Sequence, residues 1–267
     1  MRPASFVAAF LVFGFFALLV VDVVARGAAE LSPAYFFGAI GDGGRAGGIG
    51  PVLVSTALVV SLATLFALPL SAGGAILCSE MLRHRPATAG VIRRSFEILV
   101  SAPSVAVGLI GWSFFGQTLG LGFSLFSGAA TLSLMLAPLM ALAFLNGLEA
   151  VPQALRAQSH ALGVTRWQTL VSLVIPAARP ALVAGVMLAV GRALAETAVL
   201  VLTSGISTRM PQDVFDPGAT LAVHVYHLAH NVPGGEPRAY AAALALLLIS
   251  ALVQLFLSRS RVQENPA

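Results

Sequence analysis

Apolar residues fall into six long runs along this chain, separated by short polar or glycine-rich stretches. The first extends from about Phe6 to Ala25, with Asp22 near its end, and the second from about Val52 to Ser79, with Pro69 inside it. The third, about Phe96 to Phe115, carries Pro103, and the fourth, about Ala129 to Leu148, carries Pro138. The fifth covers about Pro180 to Leu202 and the sixth about Tyr240 to Leu257. Each meets or approaches the ~20 residues that a helix needs to cross ~30 Å of hydrocarbon. Prolines are tolerated inside such helices because neighbours in a bundle satisfy the carbonyls they free. The pattern predicts an all-α, polytopic membrane protein with six transmembrane helices. The first run is longer than the core of a cleaved signal peptide and is expected to remain as a helix.

Composition agrees. Of 267 residues, 58% are hydrophobic and 10% charged, whereas soluble domains carry roughly 25% charged residues. So much apolar surface has to face lipid or other helices. The net charge of +4 is explained by where the arginines lie. Arg2, Arg83, Arg85, Arg93, Arg94, Arg156, Arg166, Arg179, Arg259 and Arg261 fall on one side of the expected bilayer. Arg26, Arg45, Arg209 and Arg238 fall on the other, and the loop from Gln117 to Gly128 has no charge. Ten against four places both termini in the cytoplasm by the positive-inside rule. No basic cluster with interleaved aromatics is present, so the basic excess is a topology signal rather than a nucleic-acid footprint. Cys78 is the only cysteine, which excludes an intrachain disulfide and is read as packing.

Two segments break the apolar pattern. "LAVGRALAETAVLVLTSG" puts Arg192 and Glu196 inside the fifth run, four residues apart and so on one helix face. At 1.5 Å per residue from Pro180, Arg192 sits about 18 Å in, somewhat past the midplane. Charges there are costly, which makes the pair a functional candidate, the alternative being a salt bridge that locks helices together. The second segment, "EAVPQALRAQSHALGVTRWQTLVSLVIPAARP" from Glu149 to Pro180, is too polar to span. Its spacing predicts two short helices with Gly163 at the turn and apolar faces from Leu155, Leu162, Trp167, Leu170 and Leu173. Pro176 is expected to mark a break before the fifth span. Such a loop can lie on the lipid surface or dock a cytoplasmic partner.

Gly163, followed thirteen residues later by Pro176 in "LVIP", resembles the cytoplasmic coupling loop of ABC-importer permeases. The longer run from "LGVTRWQTL" through "GRALAETAVLVLTSG" is similar to the phosphate branch of that family, as are "STALVVSLATLFALPLSAGGAILCSEM", "SFEILVSAPSVAVGLIG" and "AYAAALALLLI". The likeness covers roughly residues 52–257. It implies a type I importer permease fold: an N-terminal helix and periplasmic loop over 1–50, a five-helix core over 51–258 with the coupling loop at about 149–180, and a cytoplasmic tail over 259–267. The implied partners are a second homologous permease chain, a dimeric cytoplasmic ATPase and a periplasmic phosphate-binding protein, in a bacterial inner membrane. One departure stands out: the family's Glu-Ala-Ala triplet falls on Ala157, Gln158 and Ser159, so its acid is missing. Arg156, Arg166 and Trp167 remain for polar and aromatic contacts with the ATPase.

Under that resemblance Arg192 offers a planar fork to phosphate oxygens. Glu196 can accept the hydroxyl hydrogen of hydrogen phosphate and would repel sulfate, which has no such hydrogen. Thr197 completes the Arg-Ala-x-x-Glu-Thr segment, and Ser101 and Ser104 around Pro103 are candidates for lining the pathway or for close helix packing. Another oxyanion, such as molybdate, tungstate or sulfate, is the alternative cargo. An ion-coupled secondary transporter is the rival class, but no internal repeat joins the halves and such a carrier needs no docking loop.

Other signals carry less. "GDGGRAGGIG", Gly41 to Gly50, lacks the Gly-Lys-Ser/Thr ending of a phosphate-cradling loop and is expected to be a flexible outer loop. With no recognisable nucleotide site, the chain is not expected to be an enzyme, and ATP hydrolysis falls to a partner. "HVYHLAH" spaces His224, His227 and His230 at three-residue intervals but has no further ligand nearby, so no metal and no cofactor are expected. No Ser–His or paired-Asp arrangement suggests an intramembrane hydrolase.

Overall fold

The computed structural model describes residues 3–262. Arg2 and residues 263–267 of the expected tail lie outside the described residues. Twelve α-helices are described: α1 (Pro3–Gly27), α2 (Pro33–Phe37), α3 (Gly50–Ile76), α4 (Pro86–Val100), α5 (Ser104–Gly111), α6 (Leu125–Glu149), α7 (Gln153–Ala161), α8 (Arg166–Thr169), α9 (Ile175–Ala195), α10 (Ala198–Thr203), α11 (Leu221–His230) and α12 (Glu236–Val262). Among the described residues five straight helical stretches are long and apolar enough to span: Ala9–Glu30, Gly50–Met81, Leu125–Glu149, Arg166–Ala195 and Glu236–Ser258. The third span of the sequence pattern is a broken pair, Pro86–Val100 and Ser104–Thr118, bent by 95°.

Helix α6 is the hub, packed on α3, α9, α4 and α10, with Leu132, Leu136 and Met140 fully buried. Lipid chains are as apolar as leucine, so helices here associate through close backbone approach over small residues. Gly147 of α6 lies against Ala181 of α9, where an added Cβ would stand 2.6 Å from the alanine methyl. At the other end Gly128 meets Ser204, and Gly111 of α5 lies against the Thr131 side chain. Ser71 of α3 donates its hydroxyl to Ala137 O of α6 at 2.9 Å, beside the proline that interrupts the α6 ladder. Helix α1, by contrast, packs chiefly on α12, and none of the apolar window of its span is buried.

Three expectations change. The third span is not continuous across Pro103. The proline has no N–H to give and disfavours helical backbone at Ala102, so Ser101 closes α4 and Pro103, at φ −60° and ψ 127°, opens α5 in a new direction. Pro176 does not break the chain. The helix runs unbroken from Arg166 to Ala195, because a wide π turn at Leu170–Val174 precedes the proline and relieves the clash its ring would make in a regular turn. The glycine-rich outer loop is an ordered hairpin of strands β1 (Ile40–Gly41) and β2 (Ala46–Gly47), paired antiparallel. Its turn uses left-handed backbone at Gly43 and Gly44, and Gly44 sits against His224 and Leu228 of α11.

A side chain at Gly111 would collide with Thr131, and overpacking of this kind costs roughly 1–3 kcal/mol. Gly111→Val should therefore lower the thermal unfolding midpoint of the purified chain in detergent, and Thr131→Ala in the same chain should restore part of the loss.

Candidate translocation and docking site

Glu196 is where the fifth span comes apart. Helix α9 ends at Ala195, Glu196 takes extended backbone (φ −75°, ψ 128°), and α10 resumes at Ala198. Neither proline nor glycine stands at the break, so the apolar pattern carried no sign of it. The expected ion pair nonetheless forms, with Arg192 Nε 3.4 Å from Glu196 Oε2. Glu196 does so as the cap of α9 rather than as the next turn of one helix. The two side chains differ sharply in exposure: the carboxylate side chain is 7% exposed and the guanidinium side chain 51%. Thr197 is half-buried in the break. An interrupted helix frees backbone polar groups, which hydrocarbon tolerates only where protein buries them or water reaches them.

The elbow of the third span lies on a neighbouring element. Helices α5 and α10 pack together through Gly108, whose added Cβ would stand 2.9 Å from Leu202 and 3.1 Å from the Val199 backbone. Ser104 is half-buried at the start of α5. Ser101 is exposed and donates back to Ile98 O at 2.7 Å. Elbow and break thus sit on adjoining helices, while Arg192 and Glu196 are the two candidates in direct contact.

The coupling segment stands apart from them, at the far end of α9. Its two helices, α7 and α8, meet at a turn where Gly163 takes φ +77°, a conformation that favours glycine. Thr165 starts α8 with a capping box, accepting from Gln168 N while the Gln168 side chain accepts from Thr165 N. Leu162 and Trp167 protrude, 82% and 65% exposed. Gly163, Arg166 and Pro176 are exposed too.

Arg156 does not join them. It is buried at 6% exposure and donates to Val151 O at 2.6 Å, Leu148 O at 2.8 Å and Glu80 Oε1 at 2.9 Å. The expectation that it offers a polar contact to a partner is corrected: its fork caps the end of α6 and ties α7 to the end of the second span. Ser159, in the triplet that lacks its acid, is also buried and shares a 2.8 Å hydrogen bond with Thr169 Oγ1 of α8. These two internal ties fix α7 without the acid. Glu80, 76 residues upstream of Arg156, was invisible as its partner in the sequence.

The outer histidines diverge. His224 is 2% exposed in the core, whereas His230 stacks on Tyr226 and His227 approaches Asn231 at 3.4 Å, both at the surface. Among the described residues no group of three His, Cys, Asp or Glu is placed to hold a metal. Burial pushes the His224 imidazole down to about 4, with a smaller contribution from His227. The unfolded chain takes a proton below about 6.5 and the folded chain does not until about 4. Stability is therefore full above pH 6.5 and is lost as pH falls towards 4. Unfolding midpoints measured across that window should fall with pH by the equivalent of about 3 kcal/mol, and His224→Phe should flatten the decline.

A bundle of apolar helices, a charged pair at a break in one span and an exposed helix–turn–helix together define a multi-pass membrane permease. The model for binding-protein-dependent transport system inner membrane components matches residues 67–260, and the chain belongs to that family. It is 32% identical over 266 residues to the probable ABC transporter permease protein YqgI of Bacillus subtilis, covering 94% of this chain and 88% of that one. It is likewise 32% identical over 212 residues to the phosphate transport system permease protein PstA 1 of Mycobacterium tuberculosis, covering 79% and 69%. Among solved structures, a bacterial alginate ABC transporter in complex with an alginate-bound periplasmic protein superposes with a TM-score of 0.68 over 97% of this chain and 92% of that one. At 14% identity that likeness concerns the fold alone.

Proposed function

We propose that this chain is half of the translocation pathway of an ATP-driven importer of inorganic phosphate. It pairs with a second homologous permease chain, receives phosphate from a periplasmic binding protein and is moved by a dimeric cytoplasmic ATPase. It lies in the bacterial inner membrane with both termini in the cytoplasm. The observation that carries the reading is the Arg192–Glu196 pair at the break in the fifth span. A guanidinium half exposed at that depth is too costly to leave against acyl chains, so it faces water, cargo or the second permease. The names of the relatives favour phosphate as the cargo.

The mechanism follows from the donors and acceptors. Arg192 has only donors and meets the oxygens of phosphate in a planar fork. Glu196, buried beside it, accepts the hydroxyl hydrogen of hydrogen phosphate. Sulfate brings no hydrogen and meets only repulsion from the carboxylate. Thr197, Ser101 and Ser104 line the approach. The Gly163 loop, with Leu162, Arg166 and Trp167 outward and Pro176 behind it, seats in the ATPase and passes its closure into α9. No nucleotide site exists in the chain's sequence, so hydrolysis belongs to the ATPase.

Labelled-anion uptake in vesicles holding the complete transporter, with and without ATP, tests this. Arg192→Ala should abolish phosphate uptake while the complex still assembles, as judged by co-purification; normal uptake would reduce the pair to scaffolding. In Glu196→Gln the preference for phosphate over sulfate should fall about tenfold, the worth of one charge-assisted hydrogen bond. An unchanged preference would remove the carboxylate from selectivity and leave a permease for some other oxyanion as the better reading.

A further inference from the structure

We infer that Gln254 of α12 is a positioning residue for Arg192: its amide fixes the rotation of the last turns of α9 and holds the guanidinium on the open side of the helix. Gln254 is the only amide in the apolar run from Tyr240 to Leu257. An amide in hydrocarbon is costly unless it is hydrogen-bonded. Its Nε2 donates to Met187 O of α9 at 2.9 Å. The approach is this close because Gly191 has no side chain, and an added Cβ there would stand 2.6 Å from the same nitrogen. Arg192 is the next residue along the chain.

Successive residues of a helix point about 100° apart, so residues four apart share a stripe. Met187 and Gly191 form the stripe that faces Gln254. Ala189 and Ala193 form a buried stripe, at 0% and 2% exposure. Val190 and Leu194 line a cavity of about 520 Å³ shared with α3 and α12. Leu188 and Arg192 form the open stripe, the leucine 55% exposed and the guanidinium side chain 51%. Alanine methyls give a turning helix little to catch on, and a cavity gives no contact at all. The pairing of Arg192 with Glu196 lies within the same segment and turns with it. The bond from Gln254 comes from another helix and is directional, weakening steeply as its angle departs from linear. It is therefore the contact that sets where the Leu188–Arg192 stripe points. A turn of one residue would carry Arg192 to where Gly191 now meets α12, away from the open side. That Arg192 meets phosphate there rests on the reading above; the restraint on α9 does not.

Two measurements on the complete transporter test this. The restraint is read without transport, by the distance between spin labels placed with Leu188→Cys on α9 and Leu247→Cys on α12. Both side chains are exposed, and Cys78→Ser removes the one native cysteine. Gln254→Met keeps the size of the side chain and loses its donor, so the fold should hold while the distance distribution broadens. A distribution as narrow as the parent's would overturn the inference. The consequence is read as phosphate carried per ATP hydrolysed. In Gln254→Met that ratio should fall about fivefold, the worth of one interhelical hydrogen bond, because fewer copies present Arg192 correctly. Hydrolysis and co-purification should stay unchanged. Gly191→Ala pushes the amide away and should give the same fall, and the double variant should fall no further because both changes break one contact. An unchanged ratio, losses that multiply, or uptake that falls only in step with hydrolysis and assembly would overturn the positioning role. Arg192→Ala separates the two readings. Normal uptake there removes the phosphate reading, and the label distances still decide the restraint; uptake lost there but kept in Gln254→Met removes the positioning role alone.

Discussion

Every backbone N–H and C=O inside hydrocarbon has to find a partner in the protein, because the solvent offers none. That constraint explains why this chain is almost wholly helical and why its departures from helix are few and local. There is the 95° elbow at Pro103, the wide turns at Leu77–Met81, Trp112–Thr118 and Leu170–Val174, and the break at Glu196. Each frees polar groups that must be satisfied some other way. The elbow has a proline to account for it. The break at Glu196 has no such cause in the local sequence, and it coincides with the only charged residues of the run from Pro180 to Leu202. The interrupted helix leaves backbone donors and acceptors beside a guanidinium and a carboxylate, which the proposed permeation path would use.

Charge near the ends of the spans serves a different purpose. Arg156 donates to Leu148 O in the last turn of α6, to Val151 O just beyond it and to Glu80, and is nearly sealed from solvent. The last carbonyls of a helix have no partner in their own ladder, and a cation there satisfies them and complements the helix dipole. Together with the Ser159–Thr169 hydrogen bond it makes α7 an extension of the bundle rather than a loose loop. These contacts hold α7 in place without the acid that the triplet lacks.

Much of the architecture was legible in the sequence because hydropathy is a one-dimensional signal. Twenty apolar residues in a row have few other uses, and Gly163 at the end of a helical pattern announces a left-handed turn. Arg192 and Glu196 stood out because charges are rare within such runs. What stayed hidden depended on three-dimensional pairing. Arg156 looked like a surface group until its partner 76 residues away turned it inward. Pro176 looked like a stop because a proline ring clashes in a regular turn, and the π turn ahead of it removes that clash. The glycine-rich outer segment read as flexible, yet the left-handed backbone that glycine permits lets it fold tightly onto α11. The 95° angle at Pro103 goes with the packing of α5 on α10, a long-range contact that no local pattern encodes.

The exposure of Arg192 bears on what surrounds the chain. Its neighbours on α9 are apolar, and on the flank towards α12 the two helices close tightly where Gly191 meets Gln254, whose amide donates to Met187 O at 2.9 Å. That flank is sealed. The guanidinium nevertheless remains half exposed, while its partner carboxylate is nearly buried. A single chain in lipid would have to leave that cation against acyl chains or carry it out to the interface. The proposed second permease chain, set against the open side with water between the two, would remove that cost. The argument holds for the pair but not for α1, whose uncovered apolar face is at home in lipid. Under the proposed reading, the asymmetry between an apolar outer helix and a half-exposed charged helix would set lipid behind α1 and the pathway in front of α9.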